Sequence, residues 1–440
     1  MGKNKYVLDP VAKKDIYPEG AQAFRAQIEP FLAKWQKKHP GEKPVFFHIG
    51  EPSELPPKIV LDEAENIYHK RSKPDFSYQP VTGTLAIREA VAGHLDRSGV
   101  CFDSVTAEQI IVSGPGKLTF NAVGLALRKP GLVIALLSPT YPGNAAAAMK
   151  AHSLPASQTQ KHGLVGIPVR EENNWRPDPD ELTEILNKTQ PGLLILCNPQ
   201  NPTGGAFDKK TAQPLIKYLQ KHPEAIILED GMYHKFVYDK DQYVSLASIK
   251  EIKDQVIFGD GASKDLRFTG ARISWLRFPD ALAEIKDAVA MQLNDLVSCA
   301  PSAECTALIP GLSEKGDRDI DQTIKIYKHK KDLIVKAFNQ IGLTCNSPIG
   351  AFYLMVRTPK GISGSKLAEF AAQEAGVTLL PTVYFGASVD NQGKPIVADI
   401  YGKPLFDPKV ANKYVRVSYV GDIEKMLMGV KRLGEALKKI

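Results

Sequence analysis

Short runs of aliphatic and β-branched residues recur along the chain, each closed by glycine, proline or a small polar residue: Ile110–Val112, Val133–Leu137, Leu193–Leu196, Ala225–Leu228, Val256–Phe258 and Ile273–Leu276. Runs this short and this apolar read as strands buried on both faces. Between most of them lie stretches with helical spacing, among them Leu118–Leu127, Ala145–Ala151 and Pro179–Leu186, the last opened by Asp178 and Pro179 as start signals. Strands alternating with helices predict a mainly parallel sheet covered on both sides. From about residue 320 the pattern changes: a long charged helix over Ile320–Ile341 precedes alternating stretches around Ala351–Val356 and Val415–Tyr419, with a helix over Ser363–Ala375 between them. This predicts a smaller α+β unit. Residues 1–50 show no strand and helix alternation of their own and are expected to pack as an arm on that unit. The expected division is an arm over 1–50, a large domain over 51–310 and a small domain over 311–440. No internal repeat or low-complexity tract stands out.

A chain of 440 residues, 43% hydrophobic and 24% charged, can bury a large core, which excludes a small module or a disordered scaffold. Lys and Arg outnumber Asp and Glu by 56 to 49, for a net charge of +7, but the excess is spread out and basic stretches such as Lys34–Lys38 are short. That pattern is a solvated surface rather than a nucleic-acid groove. The five cysteines, Cys101, Cys197, Cys299, Cys305 and Cys345, have no paired metal-ligand spacing, and their odd number predicts free thiols in a reducing compartment. Met1–Gly20 lacks an apolar core of the signal-peptide kind, and apolar runs such as Leu132–Leu137 are too short to span a bilayer. A soluble, cytoplasmic protein without a bound metal is expected.

In open α/β sheets ligands sit at the carboxyl ends of the strands, so the informative residues are those just after each apolar run. After Ile110–Val112 comes Ser113-Gly114-Pro115-Gly116-Lys117, a turn into a helix that offers backbone N–H groups to a phosphate, or simply turns. Tyr141 follows Val133–Leu137 and could stack on a flat ring or merely pack. Asn198-Pro199-Gln200-Asn201-Pro202-Thr203-Gly204 follows Leu193–Leu196; two Asn-Pro steps make a rigid turn that can hold an amide in one orientation. Asp230 follows Ala225–Leu228, where a carboxylate at the tip of a central strand needs a cation unless it caps a helix. Lys264 lies in the glycine-rich Gly259-Asp260-Gly261-Ala262-Ser263-Lys264, where shelter can lower an amine's pKa and make it a nucleophile, with Arg272 eight residues on as a fork for phosphate or carboxylate.

At these five segments the sequence resembles the class I/II aminotransferases, pyridoxal-phosphate (PLP) enzymes of fold type I. Ser263-Lys264 with Gly270-x-Arg272 resembles the family's Schiff-base lysine and phosphate arginine, and Asn201-Pro202-Thr203-Gly204 and Asp230-x-x-Tyr233 resemble two further signatures. Gly50-Glu51-Pro52, Tyr78-x-Pro80-x-x-Gly83 with Arg88, Gly350-Ala351-Phe352-Tyr353, Phe385-Gly386 and Val415-Arg416-Val417-Ser418 fall in family order, so the likeness spans roughly 45–435. It implies a large PLP-binding domain built on a mainly parallel, seven-stranded type of sheet between helices, plus a smaller α+β domain. It further implies that Lys264 holds the cofactor and shuttles the Cα proton, and that Asp230 keeps the pyridine nitrogen protonated. Asn201 and Tyr233 would meet the phenolic oxygen and Tyr141 would stack on the ring. Gly116, Lys117, Ser263 and Arg272 would surround the phosphate, with Tyr78 reaching in from the second subunit of a homodimer. Arg416 would grip the substrate α-carboxylate, with Gly50 and Asn201 beside it; the residue-level alternative for Arg416 is an outward strand cation.

The resemblance implies ping-pong transfer of an amino group from an L-amino acid to a 2-oxo acid. Elimination, decarboxylation or oxidation on the same machinery is the second reading. A PLP-sensing regulator is the third, disfavoured because the residues ahead of the family-like region lack a helix-turn-helix pattern. Gly261 stands where many members carry a second phosphate-binding serine, and Gly231 where glutamate is frequent, so reshaped phosphate contacts are expected. The stretch between Gly386 and Arg416 is longer than in many members and reads as a solvent-facing insertion or a lid that narrows substrate choice. No residue in the sequence identifies the substrate side chain.

Overall fold

A computed structural model of the chain describes residues 20–151, 163–386, 400–401, 403–406 and 408–439. About half of the proposed lid over 387–415, namely 387–399, 402 and 407, lies outside these residues. The apolar runs form the centre of an eight-stranded sheet. In chain order its strands are β2 (Ile110–Ser113), β3 (Val133–Ser138), β4 (Gly163–Arg170), β5 (Arg176–Pro177), β6 (Leu193–Cys197), β7 (Ile226–Asp230), β8 (Val256–Gly261) and β9 (Ser274–Arg277). The spatial order is β2-β9-β8-β7-β6-β3-β4-β5. The stretch from β8 through β7, β6 and β3 to β4 is parallel, while β9 runs antiparallel to both its neighbours and the two-residue β5 closes the far edge antiparallel. Seven strands of ordinary length plus that short edge piece match the expected architecture.

The period of two sorts the strand side chains between two layers. Ile111, Ile134, Leu193, Leu228, Ile257 and Leu276 face helices Gly116–Ala126, Pro142–Ala151 and Ala283–Val297. Val112, Ala135, Leu194, Ile227, Phe258 and Trp275 face helices Leu85–Ser98, Pro179–Thr189 and Gln213–Lys221. Each fully buried aliphatic side chain contributes about 1.5–3 kcal/mol, so this double layer anchors the strand ends. Asp178 caps helix Pro179–Thr189 by accepting from the N–H groups of Asp180 and Glu181 at 3.0 Å each, the role its position predicted.

A second core belongs to the C-terminal part. Strands β10 (Tyr353–Arg357), β12 (Leu380–Pro381) and β13 (Tyr414–Ser418) form an antiparallel sheet in the order β10-β13-β12, covered by helices Glu314–Gln340 and Ile423–Leu437. The N-terminal stretch holds a helix, Gly20–Lys38, whose Phe24 and Ile28 enter this core, and a two-residue strand, β1 (Val45–Phe46), that pairs in parallel with β11 (Val377–Thr378). The helix expected over Ser363–Ala375 is α-helical over Gly364–Phe370 and turns into a π-helical last turn over Ala371–Ala375. No described helix is long and apolar enough to cross a membrane.

Of the long stretch after Gly386, Leu405 and Phe406 are buried and return to the large sheet: Ser138 Oγ donates to the Leu405 carbonyl at 2.7 Å, and Phe406 N–H donates to the Gly386 carbonyl at 3.0 Å. This part of the insertion is thus packed at the end of β3 rather than loose in solvent.

Candidate active site

The carboxyl ends of β2, β3, β6, β7 and β8 open into a cleft of about 520 Å³ that also receives β12, β13 and helix Gly20–Lys38. Because the strands are parallel, the residues that follow them arrive at one edge, which is why motifs far apart in sequence meet here. Asp230 ends β7 at 3% exposure. Asn144, in the first turn of helix Pro142–Ala151, donates to Asp230 Oδ2 at 2.8 Å, and Met232 N–H reaches Asp230 Oδ1 at 3.4 Å. Burial raises the Asp230 pKa, while the Asn144 and Cys197 side chains hold it back. The carboxyl therefore calls for a cationic partner on the cleft side.

Lys264 lies beyond β8, and its Nζ donates to the Gly50 carbonyl at 2.7 Å. Desolvation first, and then repulsion from Arg416, lower its pKa from 10.5 to about 8. Tyr233 is buried, and its hydroxyl lies 3.0 Å from that of Tyr353, which comes from β10. Gly50 is required by this approach, since a Cβ there would sit 2.3 Å from the Tyr353 hydroxyl. Asn201 is buried in the turn after β6, whose two Asn-Pro bonds are both cis, and its Oδ1 accepts from Arg416 Nη1 at 3.1 Å.

Arg416 is 5% exposed on β13 and points inward, which removes the alternative of an outward cation. Its Nη2 donates to the His48 carbonyl at 2.6 Å, its guanidinium carbon lies 4.4 Å from the Tyr353 ring centre and 5.1 Å from that of Phe385, and its Nε is buried without a partner. A forked cation fixed between two rings is built to receive a carboxylate.

At the other end of the cleft, Gly116 and Lys117 open helix Gly116–Ala126, and Ser263, Gly270 and Arg272 face them. Burial and the nearby Arg272 charge lower the Lys117 pKa, as two cations converging on one space require. Arg272 is left-handed at φ 59° and its Nη1 donates to the Thr269 carbonyl at 2.8 Å. Tyr141 lines the same cleft and burial pushes its hydroxyl up to about 12.

Two sequence departures have local causes. A Cβ on Gly261 would lie 2.8 Å from the Ile273 carbonyl, so β9 leaves no room for the second serine. A Cβ on Gly231 would meet the Phe258 ring at 2.3 Å, so glutamate does not fit there either.

Tyr78 stands apart. It is 90% exposed and does not line the cleft of its own chain. The cleft is also lined by Arg25, His48, Tyr353 and Phe385, and Asn144 stands behind Asp230; sequence reasoning assigned none of the five. Tyr353 and Phe385 lay inside motifs in family order, which was their only signal. Asn144 in an alanine-rich helix and Arg25 in the N-terminal helix gave none.

A parallel sheet whose strand ends gather an amine of lowered pKa, a buried acid and an anion cradle defines the class: a PLP-type transferase fold, type I. The model of the family "Aminotransferase class I and II" matches residues 43–395, and the chain belongs to that family. It is an enzyme, a transaminase acting between an amino acid and a 2-oxo acid. Similar proteins include an aromatic-amino-acid aminotransferase from Thermococcus litoralis, 27% identical over 89% of this chain and 91% of the relative, and an aspartate aminotransferase from Pyrococcus horikoshii, also 27% identical, over 89% and 90%. In fold it is similar to an aspartate aminotransferase from Thermus thermophilus, with a TM-score of 0.78 at 21% identity, covering 98% of this chain and all of the other.

Proposed function

We propose that the cleft binds pyridoxal 5′-phosphate and runs ping-pong transamination of an L-amino acid with a 2-oxo acid, with Lys264, Asp230 and Tyr233 as catalytic residues. The observation that carries this reading is the placement of the Lys264 amine between the Asp230 carboxyl and the Arg416–Asn201 pair in one cleft. Family members depend on PLP, and the cleft fits that group: among the described residues no ion pair holds the Asp230 carboxyl, where a protonated ring nitrogen would serve, and Lys117 and Arg272 repel each other across the place a phosphate would fill. When bound, the cofactor supplies an electron-poor ring that stabilises negative charge at the substrate Cα.

The chain's residues do the rest. Lys264 Nζ would hold the cofactor and then take and return the Cα proton. Asp230 keeps a positive charge on the ring nitrogen, with Asn144 fixing the carboxyl's orientation. Asn201 and Tyr233 would donate toward the ring oxygen, Tyr141 would pack on the ring, and Gly116, Lys117, Ser263 and Arg272 would hold the phosphate. Arg416, with Gly50 and Asn201 beside it, orients the substrate carboxylate. The arm, large-domain and small-domain boundaries at 50/51 and 310/311, and a cytoplasmic location, belong to the same reading. The direct test is a half-reaction screen, in which each amino acid is added singly to the yellow enzyme; conversion of its visible absorbance with release of the matching 2-oxo acid is expected. Release of ammonia or carbon dioxide as the only products would favour the other PLP chemistries.

Arg416→Ala should lower kcat/KM for every amino acid by about 10²-fold, because a buried bidentate contact to a carboxylate is lost. Steady-state kinetics with amino acids of different side chains check this, and an effect confined to one side chain would reassign the residue. Arg25 lines the cleft near His48, whose pKa is lowered to about 4 by burial and then by the charges of Arg25 and Arg416. Aspartate is named among the substrates of similar proteins, and we assign Arg25 to an anionic substrate side chain. Arg25→Ala should raise KM for acidic substrates about tenfold, the effect of one exposed charged contact, and leave neutral ones nearly unchanged. Equal shifts for both classes would remove that role.

Tyr78 completes the site only if a second chain presents it, so the active species is proposed to be a homodimer. Phe76, Tyr68 and Met291 are exposed apolar side chains that such an interface would cover. Light scattering during turnover should report a dimer, and a fully active monomer would refute the Tyr78 assignment.

A further inference from the structure

The layer that faces helix Leu85–Ser98 carries a second polar cluster that none of the roles above uses. His94 comes from that helix, His234 from the turn after β7, Asp260 from β8, and Asp265 directly follows Lys264. One ligand-capable atom from each lies within 4.8 Å of those of the other three. They are 0%, 5%, 0% and 1% exposed, respectively. Around them stand Phe258 and Trp275, apolar walls that exclude bulk water.

Four buried polar groups in such a place are ordinarily paired. Here both oxygens of Asp260, Oδ2 of Asp265, both ring nitrogens of His94 and Nε2 of His234 have no hydrogen-bond partner among the described residues. The separations within the cluster are 3.6 Å from His94 Nε2 to Asp265 Oδ2 and 3.5 Å from His234 Nδ1 to Asp260 Oδ2. These are too long for good hydrogen bonds. The separation from His94 Nε2 to Asp265 Oδ2 is close to the ligand-to-ligand edge of a tetrahedral metal site, about 3.4 Å for metal–ligand bonds of about 2.0–2.2 Å.

The outer contacts point the same way. His94 Nδ1 lies 3.0 Å from Asp317 Oδ1, and His234 Nδ1 lies 3.0 Å from the Gly231 carbonyl oxygen. In His234 the carbonyl on Nδ1 leaves the lone pair on Nε2, which is how metal-bound histidines are held, and in His94 the Asp317 carboxylate stands on the Nδ1 side of the ring. The charge also balances, since two carboxylates with two neutral imidazoles match one divalent cation. Lys235 and Arg97, the cations nearby, are engaged with Asp317 at the cluster's outer side.

We propose that His94, His234, Asp260 and Asp265 form a buried site for one divalent transition metal ion. Two imidazoles with two carboxylates suit zinc best, with manganese, iron(II) and cobalt(II) as chemical competitors. The ion ties helix Leu85–Ser98 and the turn after β7 to the segment that carries Lys264, so its role is to hold the lysine loop. It is independent of the amino-transfer reading, because no ligand of the site is a residue assigned to the cleft chemistry.

The test is metal analysis of the full-length protein, produced with zinc and manganese in the medium, purified without chelator and dialysed exhaustively. About one ion per chain is expected, since a four-ligand buried site retains its metal; less than about half an ion per chain in the wild-type protein overturns the proposal. Asp260→Asn and Asp265→Asn are each expected to lower the bound metal at least about tenfold, as removal of a charged ligand does, and full retention in both overturns the location. Should neither variant fold, X-ray absorption on the wild-type protein decides the question. Imidazole and oxygen ligation is expected, and sulfur ligation would place the metal at cysteines and refute the assignment.

Discussion

Lys264→Ala should leave a folded, colourless protein whose turnover falls by on the order of 10⁴-fold or more, since covalent attachment and general base catalysis are both removed. The variant should still bind PLP through Asp230, Lys117 and Arg272, so equilibrium dialysis with the cofactor separates loss of chemistry from loss of the site. Yellow colour and turnover retained together in the variant would remove Lys264 from its role. The wild-type amine carries a further signature. Its pKa is lowered from 10.5 to about 8 by desolvation and by the Arg416 charge, and only the neutral amine attacks an aldehyde. The rate at which cofactor-free enzyme regains its colour should therefore rise with pH and level off above about 8, below the ordinary lysine range. Arg416→Ala removes one of the three depressing influences, the others being desolvation and the Arg272 charge, so the plateau should begin at higher pH in that variant, which stopped-flow absorbance at a series of pH values can measure.

That chemistry was legible in the sequence where each reactive residue follows a buried strand. The strands were found because Leu193–Cys197, Ile226–Asp230 and Val256–Gly261 are buried throughout, and central parallel strands read as unbroken apolar runs. Once the strands were placed, the parallel topology put Asn201, Asp230 and Lys264 at one edge. The strand Gly163–Arg170 escaped because glycine at 163 and 166 and proline at 168 interrupt its pattern near the sheet edge. Helix Gly20–Lys38 escaped because Pro30 sits in its middle. The unassigned site residues were invisible for a different reason. Asn144 matters only because helix Pro142–Ala151 packs beside the end of β7, and Tyr353 only because β10 carries its hydroxyl to Tyr233 and Gly50. Such roles exist in the tertiary arrangement and have no local pattern. The same holds for the histidine–aspartate cluster, whose members span residues 94–265 with no recognisable ligand spacing.

Asp230→Asn should give the second largest loss, a fall in kcat on the order of 10²–10³-fold with little change in substrate KM, because the charge that keeps the ring nitrogen protonated acts chiefly in the transition state. Asparagine keeps the shape and can still accept from Asn144, whose Nδ2 lies 2.8 Å from Asp230 Oδ2, so packing is not the variable. Stability provides the control. Burial raises the Asp230 pKa in the cofactor-free fold, which means the ionised carboxylate destabilises that fold at neutral pH. The Asn variant without cofactor should thus melt at or above the wild-type temperature near pH 7. The difference should fade as pH falls through the ordinary Asp range near 3.8, where the carboxyl is protonated in folded and unfolded chains alike. With cofactor the order should reverse, because the wild-type carboxylate then gains its cationic partner and the amide does not. Thermal melts of both proteins, with and without PLP, at neutral and acid pH, read all four combinations. A variant of wild-type kcat, or one destabilised equally in the presence and absence of cofactor, would mean that Asp230 is a structural carboxyl and that the electron-withdrawing role lies elsewhere in the cleft.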